Sequence, residues 1–300
     1  MRTATVPDPF HEGEQEAQRR AGQAALAERT GSMIADRIND GARRFLEQQA
    51  WLVAARAGGD GAPWASILFG EVGFVNAPDQ AQVVIDLQRV ARTAGDPFWT
   101  GLRAETDLGL LAIDLATRRR LRINVRVVEV GASLRGVVRE AYPNCPKYIT
   151  PRQLCEGGAP ARDLACHHGE TLDASRTALV RRADTALVAS YHPARGADAS
   201  HRGGPPGFVE VIDEATLRIP DYPGNGMYNT LGNLLVAPSA GLTFVDFAER
   251  RVLQITGRAR VVFGVADAGG PADTGRFWEL SIHRWMDAPM PEGWKTEPPR

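Results

Sequence analysis

Residues 109–126 read GLLAIDLATRRRLRINVR, and residues 241–258 read GLTFVDFAERRVLQITGR. Gly109, Asp114, Ala116, Arg118-Arg119, Leu121, Ile123 and Arg126 return 132 residues later as Gly241, Asp246, Ala248, Arg250-Arg251, Leu253, Ile255 and Arg258. In the first stretch, LGLLAIDLA meets LRINVRVVEV across the polar tip Thr117-Arg118-Arg119-Arg120, the composition of a β-hairpin. An earlier match runs at offset 134: Ala65-Ser66 and Gly73-Phe74-Val75 against Ala199-Ser200 and Gly207-Phe208-Val209. Two nearly constant offsets separated by one small indel indicate a duplicated domain. The period is too long for a solenoid, and each copy is long enough for its own core. Duplication also allows one copy to keep a site while the other becomes its wall.

The rest of the chain fits two β-rich copies with helical flanks. HEGEQEAQRRAGQAALAERT (residues 11–30) is rich in helix formers, and a second helix is expected over Ile34 to Gln49. From Trp51 onward, short apolar or alternating runs (WLVAARA, PWASILFG, VVIDL) are broken by Gly, Pro and Asp. The second copy follows the same plan with TALVASY, GFVEVID and TLRIP. GMYNTLGNLLVAP then places Met227, Leu231, Leu234 and Leu235 at helical spacing, ended by Pro238. The expected organisation is a helical arm (1–40), a first copy (41–155), a linker (156–180) and a second copy with a C-terminal tail (181–300). The fold class is mainly β (α+β): two tandem small closed barrels of Greek-key spacing with short flanking helices.

Composition narrows the function classes. A net charge of −1 gives no basic surface for nucleic acid or anionic membrane. No apolar run approaches the roughly 18 residues of a membrane span. Met1 to Glu14 carries Asp8, Glu12 and Glu14 and no apolar core, unlike a signal peptide, so a cytoplasmic location is expected. Cys145, Cys155 and Cys166 are odd in number and too widely spaced for a structural zinc site. Cys166-His167-His168 reads as exposed linker, and no metal is expected.

Two segments of the second copy carry candidate chemistry. In Ser200-His201-Arg202-Gly203-Gly204, the glycines let backbone approach a flat ligand, and Arg202 offers a planar fork of donors for a phosphate or a ring edge. The same residues also read as a Gly/Pro turn with exposed polar side chains. The second segment, Ile219 to Asn233, leaves a strand, turns through Pro and Gly, and enters a helix. Asn225, Asn229, Thr230 and Asn233 cluster at that helix start, where free N–H groups attract anions. Capping accounts for one of them, not four. In the first copy, Arg89 to Asp107 keeps little of this pattern.

These residues resemble a known family. SHRGG, PDYPGNGMYNTLGN and LQITGRARVV are similar to the pyridoxamine 5′-phosphate oxidase-like FMN-binding split barrels, most of all to their uncharacterised flavin-nucleotide-binding branch. Tyr142-Pro143-Asn144-Cys145-Pro146-Lys147-Tyr148-Ile149 resembles the segment that ends one barrel in that branch, so the signature is divided between the two copies. The resemblance covers roughly residues 40–265. It implies FMN at the interface of two barrels, supplied here by the two copies of one chain. It places Ser200, His201, Arg202 and Gly203 along the flavin and Asp221 and Tyr222 near the ring edge. Asn225, Asn229, Thr230 and Asn233 fall near the ribityl-phosphate, Gln254 faces the cofactor, and Asn144, Lys147 and Tyr148 close the pocket from the first copy. One departure matters. Pyridoxamine-phosphate oxidases hold the phosphate with an Arg/Lys-Ser/Thr cluster, but the corresponding stretch here has only Asn and Thr, leaving Arg202 and helix-end dipoles.

The implied function is a flavoprotein that moves hydride or electrons between a reduced cofactor and a small-molecule substrate, with no catalytic acid or base standing out. The alternatives are a flavin-binding module without turnover, or a deazaflavin or haem in the same groove. A homodimer of the two-barrel chain is compatible with this plan. Arg118-Arg119-Arg120 reads as a solvated hairpin tip. Trp278, Trp285 and Trp294 read as a barrel cap or a stacking surface, with His283 and Arg284 as substrate-side candidates.

Overall fold

The computed structural model describes residues 8–155, 164–265 and 274–298; part of the expected linker, residues 156–163, lies outside them. The first unit holds β1 (Trp51–Ala57), β2 (Pro63–Phe69), β3 (Val75–Asn76), β4 (Gln82–Asp86), β5 (Asp107–Asp114), β6 (Arg119–Val130) and β7 (Ser133–Pro143). Two short strands follow, β8 (Gln153–Cys155) and β9 (His167–Gly169). The second unit holds β10 (Thr185–His192), β11 (Gly196–Gly203), β12 (Glu210–Asp213), β13 (Thr216–Pro220), β14 (Ser239–Asp246), β15 (Arg251–Phe263) and β16 (Arg276–Pro289), and β17 (Lys295–Glu297) comes last.

The two sheets are copies of each other. Their strand orders are β2-β1-β5-β6-β7-β4-β3 and β11-β10-β14-β15-β16-β13-β12, and they correspond strand for strand. Each sheet wraps an apolar core, built around Leu52, Phe74, Phe98 and Ile123 in the first unit and Val188, Phe244, Ile255 and Trp278 in the second. The chain is therefore two tandem split β-barrels.

The repeated residues have structural reasons. Asp114 and Asp246 accept backbone N–H bonds from Ala116 (2.9 Å) and Ala248 (3.1 Å), bending each hairpin back on itself. The turns are completed by Arg118 (φ 56°) and Arg250 (φ 54°) in the left-handed region. Gly109 and Gly241 set the approach of the units. A Cβ on Gly109 would lie 2.5 Å from the Asp198 Cα, and one on Gly241 would lie 2.7 Å from the Pro63 carbonyl oxygen and 3.0 Å from the Trp64 Cα. Each unit thus presses the same strand against the other, and Trp51, Val53, Ile67, Leu111, Leu187 and Val245 form a third apolar cluster at the junction.

Five helices are present among the described residues: α1 (Glu12–Arg20), α2 (Ala24–Gly31), α3 (Asp40–Glu47), α4 (Ala174–Arg182) and α5 (Asn229–Val236). The single helix expected over residues 11–30 is broken in two, because Gly22 turns the chain at φ 66°. The helix expected over 34–49 is shorter, starting where the Asn39 side chain accepts the Ala42 N–H (2.9 Å). No helix among the described residues is long and apolar enough to cross a membrane.

The segment FWELSIHRWMDAP is not a tail but the long strand β16. Trp278 is sealed in the second core and Trp285 donates its Nε1–H to the Thr171 carbonyl (2.8 Å), so neither stacks on a ligand. Cys166 precedes β9, which pairs with β16, and its thiol donates to the Ala94 carbonyl (2.8 Å). All three cysteines are free.

Candidate functional site

A cleft opens at the junction of the two barrels, and both units build it. The second unit contributes Ser200, His201, Arg202 and Gly203 from β11, the turn Asp221 to Tyr228 that leaves β13, and Asn229 and Thr230 at the start of α5. The first unit contributes Arg120 and Arg122 from β6, Leu111 from β5, and Asn144, Cys145, Lys147 and Tyr148 from the segment after β7. The fourteen residues expected at the site gather here except Asn233 and Gln254.

Polar contacts tie the units together across the cleft. Asn225 donates its amide to the Asn144 Oδ1 (3.1 Å), and the Tyr148 hydroxyl donates to the Pro223 carbonyl (3.1 Å). The Tyr148 and Tyr222 rings meet 5.0 Å apart, one from each unit. Gly203 is required here by protein rather than by ligand, since a Cβ would collide with the Tyr148 carbonyl oxygen. The Ser200 and Thr230 hydroxyls share a hydrogen bond of 2.9 Å. Arg122 forms a buried ion pair with Asp198 and donates to the Asn229 Oδ1 (3.1 Å).

The hairpin tip is only partly solvated. Arg118 and Arg119 are exposed, but Arg120 turns inward and its Nη1–H donates to the His201 Nδ1 (3.2 Å). A guanidinium has donors only, so Nδ1 accepts and the His201 proton sits on Nε2. Burial, with Arg120 and Arg202 nearby, holds the His201 pKa well below its usual value, so the ring is neutral. Burial likewise lowers Arg120 to about 10 and lowers Arg202, yet both stay charged at neutral pH. Burial would lower Arg122 too, but Asp198 and Tyr142 more than offset it. Burial raises the Asp221 carboxyl against the opposing pull of Arg202, and Asp221 accepts from the Arg276 Nε (3.0 Å).

The charge balance is positive. Asp198 pairs with Arg122 and Asp221 with Arg276, whereas Arg120, Arg202 and Lys147 pair with no carboxylate among the described residues. Arg120 Nε, Asn144 Nδ2, His201 Nε2 and Arg202 Nε are buried donors with no hydrogen-bond partner among the described residues. Four such donors lining one cleft fit a ligand rich in acceptor oxygens. The positive charge missing from the stretch after β13 therefore arrives from the other barrel, on β6.

Asn233 lies on the far side of α5, where it meets the His11 Nε2 (2.9 Å) and donates to the Ser190 Oγ (2.9 Å). Gln254 is the duplicated counterpart of Arg122 and lies in the opposite half of the junction. Its amide donates to the Ala65 carbonyl (3.0 Å) and the Ser66 Oγ (3.1 Å). In that half, Val252, Ile67 and Leu68 stand where Arg120, His201 and Arg202 stand in the cleft, and Trp64 replaces Asp198. Ile67, Phe69, Val252 and Trp294 pack there into the junction cluster, with the Phe69 and Trp294 rings 5.0 Å apart. The place equivalent to the cleft is filled by side chains. Trp294 is thus an internal plug. Arg284 is bound to Asp60, over the Trp64 ring, and neither it nor His283 lines the cleft.

Four buried groups escaped the sequence reading: Arg120, Arg122, Asp198 and Glu14. Glu14 backs the site from α1, accepting from the Asn229 side chain and from the His11 N–H (2.9 Å). The one available signal was in the duplication itself, where an arginine in one hairpin is matched by glutamine in the other.

No protein-family model and no curated protein matches this chain. Among solved structures, it is similar to HupZ of Group A Streptococcus, at 11% identity and TM-score 0.32, covering 39% of this chain and 99% of that one. It is also similar to a candidate pyridoxamine 5′-phosphate oxidase from Lactobacillus delbrueckii (13% identity, TM-score 0.33, 39% of this chain and 94% of that one). A third is an F420 reductase (12% identity, TM-score 0.28, 38% of this chain and 97% of that one).

Proposed function

We propose that this chain binds one flavin-type cofactor, FMN, in the cleft between its two barrels and acts as an oxidoreductase on a small molecule. The observation that carries this reading is the set of four buried, partnerless donors, Arg120 Nε, Asn144 Nδ2, His201 Nε2 and Arg202 Nε, drawn from both units into one cleft. A flavin mononucleotide offers what they lack: carbonyl and ring-nitrogen acceptors at one end and a phosphate at the other. Arg202 and Lys147 would hold the anionic end, and the Arg120, His201 and Asn144 donors suit the ring acceptors. When bound, the flavin supplies the two-electron chemistry.

The chain's own residues bind, orient and shield. His201 stays neutral and keeps its proton on Nε2, which suits donation to a flavin and not ligation of a haem iron. The cleft has a cavity volume of about 120 Å³. A ring system would lie beside the Tyr148 and Tyr222 rings, one from each unit. The cleft is complete in one chain, so a second copy is not needed to form it.

The test is the visible spectrum of the purified protein, with the released chromophore identified by mass. One FMN per chain supports the proposal. Two per chain would mean that the plugged half also binds, and a colourless protein that takes up no added FMN would end the flavin reading. A deazaflavin or a Soret band would replace the cofactor but keep the cleft. Reduction of bound flavin by NADPH separates an enzyme from a passive carrier.

A further inference from the structure

A second cavity, of about 690 Å³, adjoins the cleft and is built by the first unit together with the chain that leads into it. Its exposed apolar walls come from Met33, Ala35, Ala42 and Pro143, over the buried Ile38, Phe45 and Leu121, and its rim carries Arg118, Arg119 and Arg120. It meets the cleft at Arg120 and Asn144, which line both. Those two residues bring unpartnered buried donors, Arg120 Nε and Asn144 Nδ2, to the boundary.

The duplication supplies a control for the arginines. In the second unit, the equivalents of Arg118 and Arg119 are bound: Arg250 donates to the Pro291 carbonyl (3.1 Å), and Arg251 pairs with Asp287 and donates to the Ser175 Oγ (3.3 Å). In the first unit, Arg118 and Arg119 have no carboxylate partner among the described residues, and Arg119 lies over the Phe45 ring at 4.6 Å. The nearby carboxylates are engaged elsewhere: Asp40 with Arg43 (3.2 Å), and Asp114 with its own turn. Arg118 and Arg119 thus stand at the mouth of the cavity with no counter-charge among the described residues, while Arg120 points into the cleft toward His201.

We infer that this cavity binds a small organic anion with an apolar body, its hydrocarbon part against Met33, Ala42 and Pro143 and its acidic group at Arg118 and Arg119. An apolar body alone would leave the guanidinium cluster uncompensated, and a bare inorganic anion would leave the apolar lining wet. Because the cavity touches the cleft, the anion is the substrate or product of the proposed cofactor chemistry. That last assignment rests on the flavin reading; the binding itself does not.

The experiment is isothermal titration of the full chain, stripped of any chromophore, with 2-naphthoate and with the neutral 2-naphthalenemethanol. Naphthoate should bind one per chain and at least tenfold more tightly than the alcohol. Arg118→Ala/Arg119→Ala should weaken naphthoate at least tenfold and leave the alcohol unchanged, and Ala42→Trp, on the opposite wall, should block both. Circular dichroism confirms that each variant is folded. Equal binding of acid and alcohol, no loss in the arginine variant, or no binding of either would overturn the inference. Naphthoate binding in a chain that takes up no flavin would keep the anion site and remove its role as substrate site.

Discussion

Arg122 and Asp198 face each other across the junction of the two barrels, each side chain only 6% exposed, and the duplication puts Gln254 and Trp64 in their places on the other side. One half of the junction is thus held by an ion pair and the other by packing and an amide. Breaking a buried pair from one side leaves a charge without compensation. Arg122→Gln or Asp198→Asn should each cost about 3–5 kcal/mol in chemical denaturation. The double variant should lose clearly less than the sum, and an additive result would mean that the pair does not couple.

Glu14 gives the fold a pH dependence. Burial raises its pKa to about 8, from 4.5 unfolded. Below pH 4.5 the group is protonated in both states and costs nothing. As pH rises from 4.5 toward 8, only the unfolded state ionises, so stability falls. Glu14→Gln should match the wild type near pH 4.5 and exceed it by about 4 kcal/mol at pH 8. Burial lowers the facing His11 to about 4, so its loss runs the other way, setting in as pH falls below 6.5. A Glu14→Gln advantage that did not grow with pH would show that the carboxyl is ionised in the folded chain.

Cofactor affinity should follow the cleft and not the hairpin register. Arg120→Ala and Arg202→Ala should each weaken FMN binding about tenfold or more, the worth of a charge-assisted hydrogen bond. Gln254→Ala should leave it unchanged in the folded protein. Fluorescence titration distinguishes these outcomes, and a loss at Gln254 would relocate the site.

Trp294→Ala should destabilise the chain by about 3–5 kcal/mol, as removal of a buried indole does. The cavity it leaves is lined by apolar side chains of the junction cluster and offers no donors to a phosphate, so FMN should remain at one per chain. A second equivalent would mean that the plug alone separates the two halves.

The duplication is legible in the sequence because it rests on local backbone demands: an aspartate that bends a hairpin, an arginine in the left-handed turn, a glycine where strands press together. The run from Ser200 to Thr230 is legible for a related reason, since one strand, one turn and one helix start deliver it to a single wall. The opposite wall is not. Arg120 and Arg122 look like the surface charges of an ordinary hairpin, and only the tertiary fold sets them against His201 and Asp198, some 80 residues away. Gln254 misleads by symmetry: it occupies the same place in its hairpin as Arg122 does, but in the half that side chains have filled. Glu14, on a short amphipathic helix, gives no sign that it will be buried.

The pairing of β17 with β8 has a consequence for biosynthesis. The strand that carries the plug forward emerges roughly 140 residues after its partner, which at about 5–20 residues per second is a delay of roughly 7–30 s. Throughout that interval Ile67 and Phe69 lack Trp294, the last member of the cluster that covers them. A chain stopped before Trp294 should therefore bind an apolar dye that the full chain does not.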